Sequence, residues 1–170
     1  MAKLPSLLQP VDRLRRRWLA RLLAGGGALA LGGQAARAGA KEDALRFPGD
    51  PPAHKVVYQL NRAEADYQEH VIFSVGAMLR KYGDDIKIVV VGIGPGIHPL
   101  LKKPQRPVSQ TIREKVASLA QYGVEFQACG NTLTSLKLTE ADILPFAQYV
   151  EVGAAALMEL QEQGYAYISW

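Results

Sequence analysis

Cysteine is nearly absent from this chain: Cys129 is the only one in 170 residues. A single thiol excludes an internal disulfide and every zinc site that needs two or more cysteines. Histidine is almost as scarce. His54, His70 and His98 stand far apart, and none pairs with another at metal-ligand spacing, so no metal site is expected. The lysine-serine pair of a P-loop is missing, and Gly92-Ile93-Gly94-Pro95-Gly96 lacks the third glycine of the dinucleotide fingerprint. Nucleotide binding is excluded on those grounds. The one apolar stretch near the N-terminus, Trp18 to Gly33, is short and broken by glycine, with no charged stop-transfer block after it. A permanent membrane span is therefore not expected. After that stretch the chain shows no internal repeat and no low-complexity block.

The N-terminus itself reads as an export signal. Arg13, Arg15, Arg16 and Arg17 form a basic region ahead of the apolar stretch. Ala36-Arg37-Ala38 and Ala38-Gly39-Ala40 both match the small-residue cleavage pattern, so residues 1–40 are expected to be removed after Ala38 or Ala40. Arg15-Arg16-Arg17-Trp18-Leu19 resembles the twin-arginine consensus, with Ala20 in place of the usual lysine. The expected location is the periplasm, with membrane contact only during export. An ordinary secretory signal or a basic amphipathic helix is the alternative.

The signal changes the charge balance. The whole chain has 20 basic and 16 acidic residues and a formal charge of +4. Residues 1–40 hold seven Lys and Arg and one Asp, so residues 41–170 hold 13 basic and 15 acidic residues, a charge of −2. The electrostatic footprint expected of a nucleic-acid binder is gone, and no nucleic-acid partner is expected. The remaining 130 residues suffice for one domain with a hydrophobic core. Residues 41–53, with Pro48, Gly49, Pro51 and Pro52, read as a flexible leader before a domain over 54–170.

That domain alternates between strand and helix patterns. His54 to Leu60 is β-prone, and from Ala63 to Tyr82 the residues Tyr67, Val71, Val75, Met78 and Leu79 share a helical face. Gly76 and Ala77 would let this helix approach a sheet. Ile86 to Val91 is continuously β-branched, as in a central strand covered on both faces. A loop from Gly92 to Ile97 comes next, and Pro95 and His98-Pro99 argue against an immediate helix start. Ser109 caps a helix to Tyr122 with Ile112, Val116 and Leu119 on one face. Val124 to Ala128 is a third strand, succeeded by a short helical turn after Asn131 and a capping box at Thr139 and Asp142. Gln148 to Val152, a helix from Gly153 to Gln163 closed by Gly164, and a strand from Tyr165 complete the pattern. The expected fold is α/β: a three-layer sandwich with a mostly parallel, about five-stranded sheet and helices on both faces.

Parallel strands gather their C-terminal ends on one edge, where ligands bind, and that edge should hold both His98 and Cys129. His54 and His70 are expected to be structural or solvent-facing. Gly94 and Gly96 serve a tight turn, or their N–H groups form a nest for a small anion. Lys102, Lys103 and Arg106 form either a solvated surface or a patch that recruits an anionic sulfur species. Cys129 has two readings. It is a small buried hydrophobe, or a thiolate favoured by a helix start that Asn131 or Thr132 caps.

Four segments together resemble the DsrE/DsrF-like family. They are Lys55-Val56-Val57-Tyr58-Gln59-Leu60, Val89 to Ile97, Phe126-Gln127-Ala128-Cys129-Gly130-Asn131-Thr132-Leu133 and Glu162-Gln163-Gly164-Tyr165-Ala166-Tyr167-Ile168. The resemblance implies an oligomeric α/β sandwich in which a cysteine at the position of Cys129 carries sulfur as a persulfide; the other candidate site residues, His98, Gly94, Gly96 and Asn131, come from the reading of the strand edge above. It also implies donor and acceptor proteins and no metal or organic cofactor. A non-catalytic oligomeric binding module with a structural cysteine, and a redox enzyme using a partner thiol, are the competing expectations.

Overall fold

The computed structural model describes residues 49–170. The signal expected over 1–40 and most of the leader expected over 41–53 lie outside the described residues. The elements in chain order are β1 (His54–Leu60), α1 (Ala65–Tyr82), β2 (Ile86–Gly92), α2 (Gln110–Gln121), β3 (Glu125–Cys129), α3 (Gly130–Ser135), β4 (Ala147–Val150), α4 (Gly153–Glu162) and β5 (Ala166–Ile168). The sheet has five strands in the order β4-β3-β2-β1-β5, and every pairing is parallel. No helix among the described residues is long and apolar enough to cross a membrane.

The two faces of the sheet are covered unequally. Val56, Tyr58, Leu60, Ile88, Val90, Phe126 and Ala128 point to one face, where Val71, Val75, Ile112, Val116 and Leu133 of α1, α2 and α3 seal them into the larger core. Val57, Val89 and Val91 point to the other, where Leu157 and Leu160 of α4 and Tyr165 form a smaller cluster. Each fully buried Val, Leu or Ile side chain among them contributes about 1.5–3 kcal/mol on leaving water. The continuous β-branched run of β2 results from this arrangement, since alternate residues meet different helix layers.

Ser109 caps α2 as expected, its Oγ accepting from Ile112 N–H at 3.2 Å. Thr139 and Asp142 form the expected capping box around a 3₁₀ turn at Glu140–Asp142. Three local expectations are corrected. The segment after β2 is not an open loop but 3₁₀ helix from Gly94 to Leu100, with Pro95 in its first turn, where a missing N–H costs nothing. The turn after β3 begins at Gly130, so Cys129 itself is the capping position and Asn131 and Thr132 lie within α3. Gly76 does not bring α1 onto the sheet: a Cβ there would meet only the Arg80 guanidinium, at 3.4 Å.

Candidate functional site

The topology opens a crevice beside Cys129. From β3 the chain passes to α3 on the larger-core face, and from β4 to α4 on the opposite face. Where neighbouring parallel strands send their chains to opposite sides, a cleft forms at their C-terminal ends. Cys129 is the last residue of β3 and pairs in register with Val150 of β4, so it stands at that switch point.

A cavity of about 430 Å³ occupies the crevice. Ile93, Gly94, Pro95 and His98 line it from the segment after β2, and Val152, Gly153 and Ala154 from the start of α4. Cys129, Asn131 and Thr132 also line it, and among the described residues Arg106 is its only charged lining residue. The sequence candidates Cys129, His98, Gly94 and Asn131 thus meet in one place. Gly96 is not among the lining residues. It lies against β1, where a Cβ would overlap the backbone of Leu60 and Asn61.

Cys129 is only 4% exposed, yet its sulfur is surrounded by donors. Gly153 N–H donates to Sγ at 3.3 Å. That approach depends on glycine, because a Cβ at 153 would stand 2.9 Å from the Cys129 Cβ and 2.8 Å from Ile93 Cγ1. Gly94 N–H donates to Thr132 Oγ1 at 2.9 Å, which leaves the Thr132 proton free to point at the thiol. Burial pushes the Cys129 pKa up. The Thr132 hydroxyl and the N–H groups of Gly153, Thr132 and Asn131 outweigh it, so the net shift is downward. The structure therefore gathers the means to hold a thiolate.

The glycine segment serves this arrangement with its backbone. Gly94 N–H is spent on Thr132 and Gly96 N–H on Ile93 O at 3.1 Å. Asn131 N–H donates to Glu151 O at 3.1 Å, tying α3 to the end of β4. The contributions of Thr132 and Gly153 escaped sequence reading. Thr132 looked like a cap, and Gly153 lies 24 residues from Cys129 in the chain. The only local signal was a glycine opening a helix directly after a strand.

His98 is 1% exposed, and its Nδ1 has no hydrogen-bond partner. Burial, with a smaller contribution from the positive charge of Arg106, holds its pKa below the ordinary histidine value. The neutral form of the ring is therefore favoured. His54 lies 4.4 Å from the Tyr82 ring and His70 stacks on Trp170 at 6.5 Å, neither of them in the cavity. Among the described residues no group of three His, Cys, Asp or Glu side chains is placed to hold a metal.

Comparison with known proteins fits this architecture. The model of the DsrE/DsrF-like family matches residues 46–170. The chain belongs to that family. The DsrE/DsrF-like family is associated with sulfur relay. Among solved structures, the chain is similar to MTH1491 from Methanobacterium thermoautotrophicum, described as a protein of unknown function. The identity is 24% and the TM-score 0.62, over 69% of this chain and 99% of that one. It is also similar to the ychN protein from E. coli, at 10% identity and a TM-score of 0.55, again over 69% and 99% of the two chains. At these identities the two structures bear on the fold alone. No curated protein gives a significant match.

The donor set around this DsrE-like cysteine predicts a pH dependence. Thiolate is the reactive form, so the alkylation rate falls as pH drops through the folded-state pKa. Because that pKa is depressed, the midpoint for native Cys129 should lie below that of the same thiol in the denatured chain. Thr132→Val removes the hydroxyl at nearly constant shape. A hydrogen bond to a charged group is worth about 1.5–3 kcal/mol, so the midpoint should rise by roughly one to two units. A rate–pH profile with iodoacetamide measures both. A wild-type midpoint equal to that of the denatured chain would contradict the assignment.

Proposed function

We propose that this protein carries sulfane sulfur as a persulfide on Cys129. The observation that supports the reading most is the donation from Gly153 N–H to Cys129 Sγ at 3.3 Å, in a cavity at the C-terminal edge of the sheet. A thiolate held this way attacks the terminal sulfur of a donor persulfide. One S–S bond forms on Cys129, the donor's S–S bond breaks, and its electron pair leaves with the donor as a thiolate. The new S–S bond, about 2.05 Å long, moves the transferable sulfur outward from the strand end. An acceptor thiolate then takes it by the reverse of the same step. No electrons are gained or lost overall, so no redox cofactor is required.

The carrier acts outside the cytoplasm in this proposal, exported through residues 1–40, and works as a homo-oligomer with protein partners that supply and remove sulfur. The support for export is the run Arg15-Arg16-Arg17-Trp18-Leu19 ahead of a modestly apolar stretch and a small-residue cleavage pattern. Changing Arg15 and Arg16 to lysine should leave the unprocessed chain in the cytoplasm, as fractionation and immunoblotting would show. Processed protein still found outside would overturn the twin-arginine route.

Intact-mass analysis after incubation with polysulfide tests the carrier role. The expected result is a gain of one sulfur atom, reversed by a reductant. A folded protein whose thiol neither gains sulfur nor reacts with an alkylating agent would make Cys129 a structural residue.

A further inference from the structure

The cavity beside Cys129 has a polarity that the persulfide chemistry itself does not explain. Much of its wall is apolar, with Ile93, Pro95, Leu136 and Val152 contributing. Among the described residues its one charged lining group is the Arg106 guanidinium, and none of them brings a carboxylate to it. His98, in the same wall, is almost completely buried, and its Nδ1 is unpartnered. A buried ring nitrogen without a partner is costly, and such groups point to a ligand that completes the hydrogen bonding. A cation and a second polar group set in an apolar wall suit a small anion. The thiol is only 4% exposed, so a small donor reaches it more readily than a cysteine on another protein's surface.

We infer that the sulfur donor for Cys129 is a small oxyanion bearing a sulfane sulfur, of the thiosulfate class, with its oxyanion end held by Arg106 and His98. The inference rests on the persulfide reading of Cys129 and specifies where the sulfur comes from. Arg106 pairs with the sulfonate oxygens, and the His98 ring, turning an N–H toward the cavity, donates to one of them. The sulfane sulfur then faces Cys129 Sγ. The thiolate attacks that sulfur, the S–S bond of thiosulfate breaks, and its electron pair departs on sulfite. Cys129 is left as the persulfide anion. Charge and electrons balance without an oxidant: one thiolate and one thiosulfate dianion give one persulfide anion and one sulfite dianion.

The test incubates the purified protein with thiosulfate, and separately with polysulfide, and tracks intact mass and sulfite release. Thiosulfate should add one sulfur and release one sulfite per chain. Arg106→Gln should slow that loading by about ten-fold or more, and Arg106→Lys, which keeps the charge but loses the bidentate fork, should fall between them. Arg106 is exposed, so both variants should melt as the wild type does. Loading by polysulfide but not by thiosulfate would overturn the donor and leave the carrier role standing. Loading by neither would overturn both. Equal rates for wild type and Arg106→Gln would overturn the anion site.

Discussion

Cys129→Ser should abolish sulfur loading completely, from any donor, while the fold persists. The loss is total rather than partial because Cys129 is the only cysteine in the chain, so the variant has no thiol to substitute for it. A serine hydroxyl at neutral pH supplies almost none of the anionic nucleophile that opens an S–S bond. The fold persists because serine has nearly the same shape and its oxygen still accepts from Gly153 N–H, where Sγ accepts at 3.3 Å. Exchanging a buried thiol for a hydroxyl with a partner should cost about 1 kcal/mol. Intact mass after polysulfide treatment, with a thermal melt on the same sample, separates the two effects. Sulfur retained by Cys129→Ser after desalting would remove the cysteine from the chemistry.

The largest stability effect should come from Gly96→Ala. A Cβ at 96 would coincide with the Leu60 carbonyl and the Asn61 nitrogen, backbone atoms at the end of β1 that cannot rotate aside. Relief requires the 94–100 segment to lift away from the sheet. Ile93 N–H donates to that same Leu60 carbonyl at 2.9 Å, so the shift strains this bond as well as the packing of Ile97 and Leu100. Overpacking of this kind costs about 3 kcal/mol, which should lower the melting temperature by roughly 10 °C in a domain of this size. Gly94 offers the contrast. It has φ +53 and nothing within 4 Å of a Cβ, so Gly94→Ala should cost only about 1 kcal/mol of backbone strain. Thermal melts of the two variants give the comparison. If Gly96→Ala melts as Gly94→Ala does, the close approach is not rigid.

These effects divide along the line between what sequence patterns reveal and what they hide. The strand at His54–Leu60, the β-branched run of β2, the helix capped by Ser109 and the capping box at Thr139 were all legible, because each depends on neighbours within a few residues. Gly94 and Gly96 looked alike in the sequence and differ in space. One takes a left-handed backbone conformation and gives its N–H to Thr132; the other has no room for a side chain. Asn131 and Thr132 read as caps because they come after a strand, but α3 starts at Gly130 with Cys129 as its cap, two residues before Asn131. That shift places the Thr132 hydroxyl within reach of the cysteine.

By itself the sequence determined the α/β alternation, the parallel sheet, the single thiol at a strand end and the family pattern around it. These come from local periodicity and from the identity of one residue. Only the tertiary structure decided what surrounds the thiol. Gly153 N–H donates to the sulfur and Gly94 N–H orients the Thr132 hydroxyl beside it, from three separate segments that meet because β3 and β4 send their chains to opposite faces of the sheet. Arg106 and His98 enter the same cavity from the connection between β2 and α2. Such convergence is set by strand order and crossover direction, which bring together residues far apart in the chain, and no local pattern of residues encodes it.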